Sequence, residues 1–146
     1  MQIPSYVLAA MTDLENAGFE VYTVGGCVRD SLLGLIPHDF DLCTDALPEQ
    51  VSEVFSDRKV IPTGMQHGTV TVLAEGHPLE ITTYRTESDY RDHRHPDTVR
   101  FVCNIEEDLS RRDFTVNAMA YHPKRGLLDP FGGEKDSKER VLRGVN

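Results

Sequence analysis

With 146 residues, 39% of them hydrophobic and 27% charged, the sequence has the composition of a globular domain with one core, which excludes a disordered or fibrous chain. A formal net charge of −9 argues against a surface built to grip a long nucleic-acid backbone, because that grip depends on cations that displace counterions. No apolar run reaches membrane-spanning length, and Met1 to Ala10 lacks the basic start and apolar stretch of a signal peptide, so the cytoplasm is the expected setting.

In chain order, Ser5 is placed to cap a first helix that carries Val7, Leu8, Met11 and Leu14 on one face and ends at Gly18. Phe19 to Val24 reads as a strand, and Val28 to Leu33 as a short helix stopped by Gly34. Pro48 opens another helix with Val51, Val54 and Phe55 facing inward. Gly68 to Leu73 and Leu79 to Tyr84 flank the turn Glu75-Gly76-His77-Pro78 as an antiparallel hairpin, which leaves Glu80 on a strand able to approach Asp41. Thr86 to Pro96 is polar and charged with one large apolar side chain, the pattern of a surface loop. Strands alternating with helices predict an α/β or α+β domain with a mixed sheet. Cys27, Cys43 and Cys103 are odd in number and lack CxxC spacing, so buried reduced thiols are expected.

Chemistry concentrates in one stretch. Gly25-Gly26-Cys27-Val28-Arg29-Asp30 follows the first strand, and Asp39-Phe40-Asp41 comes soon after. In extended chain successive side chains alternate, so Asp39 and Asp41 project together while Phe40 turns inward. Two close carboxylates repel unless a cation lies between them, and Mg²⁺ is commonly shared between one or two carboxylates and substrate phosphates. Backbone amides at the start of the glycine helix can hold phosphate oxygens, with Arg29 adding a charge-assisted contact. A lone Gly-Gly is ordinarily a turn and a lone DxD a solvated strand face; their order together points to nucleotide chemistry.

The stretch GGCVRDSLLGLIPHDFDL resembles the signature of the class II tRNA nucleotidyltransferase and bacterial poly(A) polymerase family, whose catalytic head is polymerase-beta-like. Leu79 to Arg85, then Tyr90 with Arg94-His95-Pro96-Asp97, then Arg111 to Ala120 are similar to that family's later head motifs in the same order. The resemblance implies that residues 1–146 form one nucleotidyltransferase head that lacks the family's C-terminal neck, body and tail. It further implies transfer of AMP or CMP from ATP or CTP to an RNA 3′-hydroxyl, most naturally that of tRNA, with two Mg²⁺ ions. Asp39 and Asp41 would hold the metal with Glu80 as a third carboxylate, whose own alternative is an exposed charge on a strand. Gly25, Gly26 and Arg29 would hold the triphosphate. Arg111, Arg112, Asp113 and Asn117 would orient the nucleoside, though an internal Arg–Asp clamp competes for one arginine, since neighbours on a helix lie about 100° apart. Arg91, Asp92 and Arg94 are candidates on a flexible loop. A poly(A) polymerase adding only AMP, or a nucleotide-binding module without efficient turnover, remain alternatives at this stage.

Overall fold

The computed structural model describes residues 1–87 and 99–145. Helix α1 (Ser5–Asn16) leads to strand β1 (Val21–Val24), helix α2 (Gly26–Leu32), strand β2 (Asp41–Thr44) and helix α3 (Pro48–Val54). Strands β3 (Val60–Gly64), β4 (Thr69–Ala74) and β5 (His77–Thr83) follow, then a ribbon of β6 (Arg85–Glu87) and β7 (Val99–Phe101). Helix α4 (Ile105–Ser110), strands β8 (Ala120–His122) and β9 (Gly126–Leu128) and helix α5 (Gly133–Lys138) complete the order.

The main sheet runs β3-β4-β5-β2-β1-β8-β9. Among its described pairings only β2 with β5 is parallel, so the expected mixed sheet is present and its parallel seam lies at the centre. Apolar side chains cover both faces. Leu42, Val21, Ile81 and Val70 join Val7, Met11, Leu14, Val51 and Phe55 in one cluster, while Cys43, Tyr22, Val24 and Tyr84 join Leu109 and Ala120 in a second. Alternation along a strand sends Leu42 to one cluster and its neighbour Cys43 to the other. Double coverage explains why the four residues of β1 are all buried and read as a continuous apolar run.

Several local expectations shift. Pro4, not Ser5, takes the cap position of α1, no side chain caps that helix, and Leu8 is exposed while Ala10 fills the inward face. The β4–β5 turn is tighter than the sequence suggests: Glu75 (φ 50°) and Gly76 (φ 82°) make it alone, and His77 and Pro78 already pair with Ala74 and Leu73. Two positive-φ residues match the twist of a hairpin, which a four-residue turn need not do. Cys27 and Cys43 are buried as expected, but Cys103 is exposed, because it follows β7 outside either apolar cluster. Among the described residues no helix is long and apolar enough to cross a membrane.

The second Gly-Gly pair has a packing role. Asp129 accepts hydrogen bonds from the N–H groups of Gly133 (2.7 Å) and Glu134 (2.9 Å), which anchors the start of α5. A Cβ on Gly133 would collide with the Thr115 carbonyl. Asp136, nearly fully buried, accepts from the Thr115 hydroxyl at 2.6 Å and pairs with Arg143 at 3.1 Å. The residues from Asp113 to Asn117 are therefore braced from behind by α5 and by the backbone of Arg143 and Val145. Overpacking costs about 1–3 kcal/mol. Gly133→Ala is thus expected to lower the unfolding free energy by that much, seen as a lower denaturant midpoint with an unchanged slope, whereas a stability within about 0.5 kcal/mol of wild type, the scatter of an unperturbed surface site, would remove this packing role.

Candidate active site

Asp39 and Asp41 stand exposed on either side of Phe40, whose side chain is only 4% accessible. The alternation read from the sequence holds, with Asp39 just ahead of β2 and Asp41 its first residue. Parallel pairing then sets Asp41 directly opposite Glu80 on β5, and antiparallel pairing sets it opposite Val24 at the end of β1. Because paired residues on adjacent strands project to the same face, three carboxylates gather at one end of the central strands. The Asp41 carboxyl is held above the usual carboxylate range, first by partial withdrawal from water, then by the charge of Glu80; Arg112 opposes this and Asp39 adds to it. Like-charge crowding of that kind is what a bound cation relieves.

The donor set suits a hard divalent ion held partly by substrate. Among the described residues no group of three His, Cys, Asp or Glu side chains is placed to hold a metal ion by itself. Two carboxylates flanking a buried phenylalanine with a third in register across the strand fit the open mode instead, in which phosphates complete the shell.

Across the site, the chain leaves β1 at Gly25 with φ 81° and ψ −134°, a conformation open to glycine and costly for other residues. Helix α2 begins at Gly26, two residues earlier than the sequence pattern suggests, so the second glycine belongs to the first turn. The N–H groups of Val28 and Arg29 bond to the Gly25 carbonyl, while those of Gly26 and Cys27 precede the intrahelical ladder. Arg29 folds back over this turn, with its guanidinium 3.3 Å from where a Cβ on Gly26 would stand. It donates from Nη1 to Asn117 Oδ1 at 2.8 Å and from Nε to Asp30 Oδ1 at 3.1 Å. Two of the predicted nucleotide residues, far apart in sequence, therefore touch.

The Arg111-Arg112-Asp113 segment is not helical throughout. Helix α4 ends at Ser110 with Arg111 as its cap, and a separate 3-10 turn spans Thr115–Asn117. Arg112 pairs with Asp108 at 3.2 Å and Arg111 pairs with it at 3.6 Å. Arg112 also reaches the glycine turn, with Nη1 3.7 Å from the position of a Gly25 Cβ. Asp113 stands apart: it is exposed, and its Oδ1 accepts from the N–H of Phe114 at 2.8 Å. The internal Arg–Asp clamp thus exists for both arginines, and its carboxylate is Asp108. The i,i+3 and i,i+4 spacing from Asp108 to Arg111 and Arg112 was the available signal. Arg91, Asp92 and Arg94 lie outside the described residues.

With the geometry in hand, similarity to known proteins is informative. Residues 21–143 match the family described as the Poly A polymerase head domain. The chain is 52% identical over 144 residues to a protein of Lactobacillus delbrueckii subsp. bulgaricus named CCA-adding enzyme, covering 99% of this chain and 36% of that protein. It superposes with a TM-score of 0.89 at 41% identity on the crystal structure of the Bacillus stearothermophilus CCA-adding enzyme in complex with CTP, covering 100% of this chain and 34% of that one. The Thermotoga maritima CCA-adding enzyme complexed with tRNA matches at a TM-score of 0.75 and 28% identity, with 99% of this chain and 34% of that one covered. The chain spans about a third of the length of these relatives.

Cys27 lies beside the glycine turn, where its thiol donates to the Val24 carbonyl at 3.4 Å, and burial pushes it up from 9.0 to about 11. A thiol raised by the fold keeps its proton where the unfolded chain would lose it. Its contribution to stability is therefore complete below about pH 9 and is lost as pH rises toward about 11. At pH 8 the native protein is expected to present Cys103 alone to a thiol reagent, with Cys27 and Cys43 reacting only on unfolding. Rapid native labelling of Cys27 would contradict the packing of this turn.

Proposed function

The chain belongs to the Poly A polymerase head domain family, and from that premise we propose that it is the head of a template-independent RNA nucleotidyltransferase that adds CMP and AMP to the 3′ end of tRNA. The observation that carries the reading is the register of Asp41 against Glu80 beside the Gly25-Gly26 turn, which gathers carboxylates and phosphate donors at one end of the sheet. The names of its relatives, CCA-adding enzymes recorded with CTP and with tRNA, favour this over a poly(A) polymerase.

In the proposed reaction the 3′-oxygen of the RNA attacks the α-phosphorus of CTP or ATP. A new P–O bond forms, the bond to pyrophosphate breaks, and the hydroxyl proton passes to solvent water. Asp39 and Asp41, assisted by Glu80, are the residues that would hold divalent cation, Mg²⁺ in two sites. Bound there, Mg²⁺ would make the attacking hydroxyl more acidic and offset charge on the triphosphate and the departing pyrophosphate. Gly26 and Cys27 present backbone amides to the phosphates, whereas the Gly25 N–H is bonded to the Met119 carbonyl at 3.1 Å and Gly25 contributes the turn itself; Arg29 adds a cation that Asn117 holds in place. Asn117 uses only its carbonyl oxygen on Arg29 in that contact, so its amide N–H groups can be offered to the sugar. Arg111 and Asp113 complete the nucleoside side in this reading, while Arg112, first expected there too, lies beside the Gly25 turn and is assigned to the phosphates. The cytoplasm, where tRNA is processed, is the setting that suits it.

The test is extension of a tRNA transcript ending before CCA, alongside an oligo(A) primer, with CTP and ATP both present and one of them radiolabelled at a time. Label from CTP and ATP entering the tRNA is expected; label from ATP alone entering oligo(A) would make the protein a poly(A) polymerase, and nucleotide binding without label in either RNA would make it a binding module. Asp39→Ala and Asp41→Ala should each fold and lose transfer by roughly two to three orders of magnitude, the scale for removing a group that stabilises transition-state charge. Folded variants that extend at near wild-type rates in Mg²⁺ would refute the metal assignment. Arg29→Ala should weaken ATP by roughly tenfold or more and leave adenosine unchanged, because a hydrogen bond to a charged group contributes about 1.5–3 kcal/mol. Equal calorimetric losses for both ligands would move Arg29 away from the phosphates.

A further inference from the structure

Asp108 is fully buried, and its carboxylate accepts two hydrogen bonds and meets a second guanidinium, from two parts of the chain. Oδ1 faces Arg112 Nη2 at 3.2 Å, Oδ2 faces Arg111 Nη2 at 3.6 Å, and Oδ2 also accepts the backbone N–H of Arg85 at 3.0 Å. Enclosing a carboxylate between two guanidiniums carries a large desolvation penalty, and well-packed apolar side chains of similar volume often serve stability as well or better. Stability alone therefore gives little reason for this arrangement. What it does achieve is placement: Arg112 is drawn along the end of α4 toward the glycine turn, where its Nη1 stands 3.7 Å from the position of a Gly25 Cβ. Asp108 engages Arg112 through Nη2, and Nη1 is the end of the guanidinium on the Gly25 side.

We propose that Asp108 is a positioning residue: it holds the Arg112 guanidinium against Gly25, facing the triphosphate, and with the same carboxylate ties that arginine to the first residue of β6. The inference rests on the proposed nucleotidyltransferase reading and adds a residue that never touches the nucleotide. A guanidinium on a long flexible stem loses much rotamer freedom when it grips phosphate, and a buried partner that fixes it beforehand removes that loss from the binding step. An Asp108 that merely braced the fold would instead affect every ligand alike, through the folded fraction.

Calorimetry on the 146-residue chain with Mg²⁺ present decides between these roles, using ATP and adenosine as probes. Asp108→Asn preserves the shape and can still accept from Arg85, but no longer fixes the arginines by charge. It is expected to weaken ATP about tenfold, the scale on which outer partners tune the residues they orient, and to change adenosine by less than about twofold. Arg112→Ala should weaken ATP comparably, and the double variant should be no weaker than Arg112→Ala alone, because both changes remove one interaction. Should Asp108→Asn fail to fold, Asp108→Glu keeps the charge and displaces it by one methylene, with the same selective loss of ATP expected. Unchanged ATP binding in a folded variant, equal losses for ATP and adenosine, or additive losses in the double variant would overturn the inference and leave the proposed function standing. A wild-type chain that binds no ATP would bring down the proposed function and the inference together.

Discussion

The parallel pairing of β2 with β5 is the constraint on which the site depends. Five of the six described pairings in the main sheet are antiparallel, and the exception brings Asp41 level with Glu80. A slip of one residue along this seam would send every side chain to the opposite face, leaving the carboxylates apart and the apolar residues of β5 exposed. Register is therefore enforced by the core: Leu42 and Ile81 are opposite each other and fully buried in the same cluster. The hydrophobic effect at those positions holds together, at the neighbouring pair, two charges that repel. The Asp41 carboxyl is raised in consequence, first by partial withdrawal from water and next by the charge of Glu80.

Around that acidic edge the cations are arranged by contacts between distant parts of the chain. Arg29 is steadied by Asn117, and Arg112 by Asp108, so two guanidiniums border the Gly25-Gly26 turn while the chain as a whole carries a net charge of −9. Net charge describes the long-range field, and binding at a site responds to the few groups within a Debye length of about 10 Å. An acidic chain with a locally basic turn suits a compact polyanion chelated to a divalent cation better than it suits a long phosphate backbone. The backbone of Arg143 and Val145 and helix α5 serve the same end from behind, since they fix the Thr115–Asn117 turn that presents Asn117 to Arg29.

Local patterns carried much of this into the sequence. Alternation of exposed Asp39, buried Phe40 and exposed Asp41 was legible because strand geometry makes it a property of adjacent residues. The helix after the glycine pair and the hairpin around Gly76 were legible for the same reason, with errors confined to their ends. Contacts that depend on how strands and loops return were not. Nothing near Arg29 announces Asn117, and nothing near Arg112 says that it would leave α4 for the Gly25 turn. Asp108 could have been suspected from its spacing to both arginines, yet only its complete burial separates it from Glu106 and Glu107 on the same short helix. The second Gly-Gly pair looked like the first in composition and differs in use, because Gly133 is required by the closeness of the Thr115 carbonyl.

The central claim is that the carboxylate edge and the glycine turn make one site, so that cation and triphosphate are bound together. Mn²⁺ reports this directly through its paramagnetic resonance signal. Titrated into the chain with and without an unreactive ATP analogue, and corrected for the Mn²⁺–nucleotide complex in solution, Mn²⁺ should bind more tightly when the analogue is present. By linkage the analogue should gain affinity from Mn²⁺ by the same factor. Equal Mn²⁺ affinity with and without the analogue would contradict the account, because it would mean that the aspartates and the glycine turn act as two independent features of the fold.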